Sequence, residues 1–214
     1  SGVNNESTES GPFYQHPNIN TPYQTTSESA ISIGPSNGNL NYALTGLSGD
    51  GNGPLPESFP KGYNAFYCMK YEICQHEYVD FLNTLTRKQQ SNRVSTSVAE
   101  GTTSITYRYV MNAQQTPFFR NGIRCDAVID ATAPVNFYCD LNGNGTGNES
   151  NDGQHIACNH LGWADLAAYL HWSGLRPMTE LEYEKSCRGT VYPVPNEKAW
   201  GTADMVGWPD GVTY

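Results

Sequence analysis

The sequence has no run of apolar residues approaching the roughly 18 that a membrane-spanning helix needs, so no membrane span is expected. Positive charge is scarce: 12 Lys and Arg stand against 21 Asp and Glu, a net charge of −9, with no dense basic cluster. Such a surface repels phosphate backbones, which argues against nucleic acid as a partner. Among the six cysteines (Cys68, Cys74, Cys125, Cys139, Cys158 and Cys187) there is no Cys-x-x-Cys pair and no companion His pair, the spacings that build structural zinc sites. A Gly-x-Ser-x-Gly elbow is missing too, and the Gly-rich stretch 143–147 lacks the Lys of a phosphate-cradling loop. The chain opens Ser1-Gly2-Val3 without a leader and stops at Tyr214 without a closing core element, so an internal or processed piece of a larger polypeptide is expected.

What the chain does have is glycine (21), proline (13) and tyrosine (14), a loop-rich composition at a length that fits one large domain. Residues 1–56 are dominated by Ser, Asn, Thr, Gly and Pro, with short apolar runs at Ala30–Ile33 and Leu40–Leu44. They read as a loop-rich N-terminal extension with two short strands, packing on a domain that occupies 57–214. From Gly62 to Lys70, Tyr63, Ala65, Tyr67 and Met69 alternate with Asn64, Phe66, Cys68 and Lys70, which predicts a core strand. Tyr78, Phe81, Leu82 and Leu85 then mark one face of a helix over Gln75–Gln90. Ser104–Val110 reads as a short strand, and Trp163, Leu166, Ala167 and Leu170 as the stripe of a helix over Trp163–Trp172. Thr179-Glu180-Leu181-Glu182 is a capping box that fixes a helix start at Thr179, with Gly189 placed to end that helix.

The one metal signal is Asp140-Leu141-Asn142-Gly143-Asn144-Gly145-Thr146-Gly147-Asn148-Glu149-Ser150-Asn151-Asp152. Oxygen-bearing side chains at alternate positions, Asp140, Asn142 and Asn144, followed by Gly145, then Thr146 and Asn148, reproduce the start of an EF-hand-type calcium loop. The twelfth position holds Asn151 instead of Glu, so Glu149 or Asp152 has to supply the missing charge. Without flanking helices the expected ion is a structural calcium in an extracellular loop, where weak affinity suffices. The alternative is an Asn/Gly turn that merely tolerates positive φ. His16, His76, His155, His160 and His171 show no two-His-plus-carboxylate spacing on one helix and read as surface or hydrogen-bonded groups. The cysteines leave two readings open, disulfides in an oxidising compartment or buried reduced thiols.

Several ordered segments are more specific than their periodicity. Phe66-Tyr67-Cys68-Met69-Lys70-Tyr71-Glu72-Ile73 runs into Tyr78-Val79-Asp80-Phe81-Leu82-Asn83. Trp163-Ala164-Asp165-Leu166-Ala167-Ala168-Tyr169 is followed by Gly174-Leu175-Arg176-Pro177-Met178-Thr179-Glu180-Leu181-Glu182-Tyr183-Glu184, then Cys187-Arg188-Gly189 and Ala199-Trp200-Gly201. This series resembles the formylglycine-generating-enzyme, or sulfatase-modifying-factor, family over its N-terminal and central part. It departs from the family pattern at Pro177-Met178, Tyr183 and Gly162, where the family has Leu-Pro, Trp and a capping Ser. The resemblance implies an irregular, loop-rich α+β fold of the C-type-lectin-like kind. The family contains copper oxidases with a late cysteine pair, iron enzymes with His ligands, and non-catalytic members. Its late Asn-x-x-Glu-Trp and Arg-Gly-Gly-Ser motifs do not occur before Tyr214, so no catalytic residue carries over, and Cys187 matches only a structural position. The expectation is a non-catalytic module, secreted or on a bacterial cell surface, that meets a protein or glycan partner within a larger assembly. The alternative is an oxidase or iron enzyme completed by a segment beyond Tyr214.

Overall fold

The computed structural model describes residues 13–41 and 53–188. It is a mixed α+β, loop-rich structure: the described residues form four helices and small sheets whose strands are mostly two residues long. Among the described residues no helix is long and apolar enough to cross a membrane. Two compact units divide the described chain, one of residues 13–41, 53–68 and 178–188, the other of residues 69–177. Leu44, Gly189 and the Ala199-Trp200-Gly201 segment lie outside the described residues.

In the first unit, β1 (Tyr14–Gln15) pairs antiparallel with β2 (Asn18–Pro22) and with β3 (Leu40–Asn41), while Ile31 and Ile33 make single bridges to Leu55 and Leu40. The strand predicted from Gly62 to Lys70 does not form, and Tyr67 there is 93% exposed. Alternation alone builds no strand without a partner edge, and here the backbone is served by side chains. The Glu28 carboxylate accepts from the N–H groups of Lys61 (2.7 Å) and Asn64 (2.9 Å), which holds its pKa below the usual range. Lys185 donates to the Asn64 carbonyl at 3.2 Å and sits over the Phe66 ring. Buried Lys61 places its ammonium between the carbonyls of Pro56 and Phe59, both at 2.6 Å. The Thr179 box closes as its spacing requires. Glu182 accepts from the Thr179 N–H at 2.9 Å, and the Thr179 hydroxyl accepts from the Glu182 N–H at 3.2 Å, starting a helix over Glu180–Arg188, which is α4 of the chain.

The second unit holds the main core, built around Tyr78, Phe81, Leu82, Val110, Ile123 and Phe137. The helix predicted as continuous from Gln75 to Gln90 is two. One, α1, covers Gln75–Asn83, with Glu77 accepting from the Cys74 N–H at its start. The other, α2, covers Arg87–Ser91. The break follows from Thr86, whose hydroxyl and N–H form a capping box with Gln89 and so begin a new helix. β4 (Ile123–Arg124) pairs antiparallel with β5 (Tyr138–Cys139). Ser104–Val110 contributes single bridges from Ser104 and Tyr109 in place of the predicted strand. α3 spans Trp163–Trp172, as the sequence predicts, but the buried residue is Tyr169, packed on Tyr78 and Phe81, whereas Trp163 is 70% exposed.

Because the strands are so short, side-chain amides take over the work of a sheet ladder. Asn83 donates to the Phe137 carbonyl (3.0 Å) and accepts from the Phe137 N–H (2.9 Å). Gln90 does the same with both backbone groups of Val135, at 2.9 and 2.8 Å. Gln75 donates to the Arg120 carbonyl (2.7 Å) and accepts from the Gly122 N–H (2.8 Å). Arg87, 2% exposed, donates to five carbonyls: Val98 from Nε, Asp130 (3.0 Å) and Ala133 (2.8 Å) from Nη1, Ala99 (3.4 Å) and Thr102 (3.0 Å) from Nη2. A lysine offers three donors from one point and cannot reach this spread of acceptors. Each buried carbonyl left unserved costs about 1–3 kcal/mol. Arg87→Lys is therefore expected to destabilise the chain by about 2–4 kcal/mol. Urea unfolding followed by tryptophan fluorescence checks this, and a loss below about 0.5 kcal/mol contradicts it.

Candidate functional site

The loop that follows β5 carries the predicted metal residues. Asp140 is fully buried; its Oδ1 accepts from the Gly143 N–H (3.0 Å) and its Oδ2 from the Gly145 N–H (3.1 Å) and from Arg124 Nη1. Arg124 lies between the rings of Tyr109 and Tyr138, 5.5 and 5.6 Å from their centroids. The Tyr109 hydroxyl donates to the Asp140 carbonyl at 3.0 Å. Asn142 Oδ1 accepts from the Asn144 N–H (2.8 Å), and Asn144 Oδ1 from the Thr146 N–H (2.7 Å). The amide nitrogens of Asn142 and Asn144 both turn to the Glu149 carboxylate, at 3.2 and 2.5 Å, which lowers its pKa. Asp152 is fully buried, and its Oδ2 accepts from the Glu149 N–H at 2.6 Å. The Leu141 N–H donates to the Asp152 carbonyl at 3.3 Å, which ties the two ends of the loop together.

The structure thus gathers Asp140, Asn142, Asn144, Thr146, Glu149 and Asp152 around one closed loop. Asn148 is turned away: in the left-handed conformation at φ 63°, its N–H donates to the Cys139 carbonyl and its side-chain oxygen accepts from the Cys139 N–H. Gly147 has no room for a Cβ, because the Tyr138 ring lies against it. Arg124 is the participant that sequence reasoning missed, since its pairing with Asp140 depends on the β4–β5 register and not on any motif. Among the described residues no group of three His, Cys, Asp or Glu side chains is placed to hold a metal ion.

A second surface feature sits at the tip of the hairpin-like segment 118–121. Phe119 and Arg120 both adopt left-handed φ, 47° and 60°, between Phe118 and Asn121, which bridge each other. This backbone is that of a type I′ turn, normally given to Asn and Gly. Side chains cost of order 1 kcal/mol or more each in such positions. Anchors hold it from every side: Phe118 O accepts from the Asn121 N–H (3.1 Å), Phe119 O from Asn159 (2.8 Å) and Arg120 O from Gln75 (2.7 Å). Asn121 donates to Asn159 at 3.0 Å. The side chains point out: Phe118 is 45% and Phe119 67% exposed, their rings 4.2 Å apart, with exposed His160, itself at φ 60°, beside Phe119. Nothing in the spacing of Pro117-Phe118-Phe119-Arg120 signals this turn, because its hold comes from residues far away in sequence. His76 lies 3.7 Å from Asp80 on the exposed side of α1, a surface pair.

Cys74, Cys125, Cys139, Cys158 and Cys187 are free thiols, and Cys68 is exposed. Burial pushes the thiols of Cys139 and Cys158 up to about 12 and that of Cys125 up to about 11, and it raises Cys74 as well. A thiol so raised stays protonated at neutral pH and is a poor nucleophile.

No family model, curated protein or solved structure matches the chain.

The thiol shifts carry a stability consequence. From an ordinary value of 9.0 to a folded value of about 12, each buried thiol favours folding fully below pH 9 and loses that contribution as pH rises towards 12. The melting temperature is expected to fall steeply between pH 9 and 12. At pH 8, iodoacetamide followed by peptide mass spectrometry should label exposed Cys187 well before Cys125, Cys139 and Cys158. Equal labelling of all four contradicts the assignment.

Proposed function

We propose that this chain is a non-catalytic binding module of a secreted or cell-surface protein, part of a larger polypeptide or assembly, whose loops meet a protein or glycan partner. The observation that carries the reading is the Phe118–Asn121 turn. A left-handed Phe-Arg pair is costly, and the chain spends Gln75, Asn121 and Asn159 on holding it while leaving both Phe rings in solvent. Strain kept in place by surrounding bonds, with apolar groups on the outside, is the pattern of a pre-organised contact. Exposed aromatic rings beside an Arg and a His also have the composition of a binding hot spot.

The scaffold belonging to this proposal is the C-type-lectin-like one of the formylglycine-generating-enzyme resemblance. Helices at Trp163–Trp172 and Glu180–Arg188, in a structure whose described residues are otherwise two further helices, short strands and loops, support it.

The labelled chain and its Phe118→Ser/Phe119→Ser variant are to be compared on an array of glycans and immobilised extracellular glycoproteins. The wild type is expected to bind at least one class, and the variant about tenfold more weakly, a loss of about 1.4 kcal/mol, with an unchanged melting temperature. Equal binding by both forms, or binding by neither, removes the turn as the contact surface.

A further inference from the structure

We propose that the Asp140–Asp152 loop binds one calcium ion through the side-chain oxygens of Asp140, Asn142, Asn144 and Asp152 and the main-chain carbonyl of Thr146. The alternating oxygens and the Asx turns describe a loop of the right kind, yet they occur equally in turns that bind nothing. The observation that points to a ligand is Asp152. Its carboxylate is completely buried, one oxygen is anchored on the Glu149 N–H inside the loop, and among the described residues the other oxygen, Oδ1, has no hydrogen-bond partner.

Charge accounting separates the two aspartates. Asp140 is neutralised from the core side by Arg124, held between two tyrosine rings. Among the described residues Asp152 has no cation within its contacts, and a buried carboxylate left without one is unfavourable unless an ion completes it. The ligand chemistry is that of a hard cation: carboxylate, amide and carbonyl oxygens, with no imidazole or thiolate. Several protein oxygens on a glycine-rich loop suit calcium better than magnesium, which demands a tight octahedron and keeps its waters. Asp152 thereby replaces the Glu that closes an EF-hand loop, one residue later. Asn148, engaged with Cys139, falls outside the ligand set, and Glu149 positions the two asparagines by holding their amide nitrogens. Arg124 beside Asp140 keeps the affinity in the range of extracellular modules, about 0.1–1 mM.

This inference is independent of the contact proposed for the aromatic turn, and its test uses no partner. Tyr138, packed on Gly147, is a built-in sensitiser for terbium placed in the loop. Tyrosine-excited terbium luminescence is expected to rise on titration and to be displaced by calcium. The melting temperature should climb by several degrees between EDTA and about 10 mM calcium, and by much less with magnesium. Asp152→Asn is expected to weaken calcium binding at least tenfold, while Glu100→Gln, which removes a charge elsewhere on the surface, leaves it unchanged. If Asp152→Asn does not fold, Asn144→Ala takes its place with the same expected loss. A wild-type chain whose luminescence and melting ignore calcium up to about 10 mM overturns the proposal, as does an unchanged affinity in a folded Asp152→Asn.

Discussion

The second unit is organised by a single buried guanidinium. Arg87 stands at the first position of α2 and collects carbonyls from two separate stretches, 98–102 and 130–133, neither of which belongs to a helix or a strand. Among the described residues no carboxylate hydrogen-bonds to it; carbonyl dipoles converge on the charge, and the exposed Asp130 carboxylate attracts it at longer range. That arrangement makes α2 the reference against which the surrounding loops are set. One side chain thus serves five buried or partly buried carbonyls at once.

The same economy recurs on a smaller scale. Asn83, Gln90 and Gln75 each grip a backbone carbonyl and a backbone N–H of a short stretch, so the segment leading into β5 and the aromatic turn are fixed from the helix side. A sheet normally fixes a strand through its neighbour's backbone; here side chains stand in for the neighbour. This is why the second unit, with few paired strands among the described residues, still has a continuous core.

What could be read in advance follows from which physics is local. The capping box at Thr179, the helix at Trp163–Trp172 and the start of α1 depend on residues within a few positions of one another, and all three were legible. The second box at Thr86 was equally local but was masked by an apolar period that ran across it. The strand expected at Gly62–Lys70 failed because a strand is a statement about a partner, and alternation does not name one. At the candidate loop, the alternating oxygens were visible as spacing. The Arg124–Asp140 pair and the burial of Asp152 were not, since both arise from tertiary packing. The aromatic turn was invisible for the same reason, its anchors lying 38 to 45 residues away.

The way that turn is held separates two properties that most surface loops confuse. Its conformation is written in Gln75 and Asn159, whose side-chain amides donate to the main-chain carbonyls of Arg120 and Phe119 that any residue would offer, with Asn121 donating to the Asn159 side chain behind them. Its exposed character is written in Phe118 and Phe119, whose rings stand in solvent while their carbonyls are held. A lineage can therefore exchange what the turn displays without relearning how to fold it. Diversity would be expected to gather at 118–120, while the three amides behind them stay under a different and stricter selection.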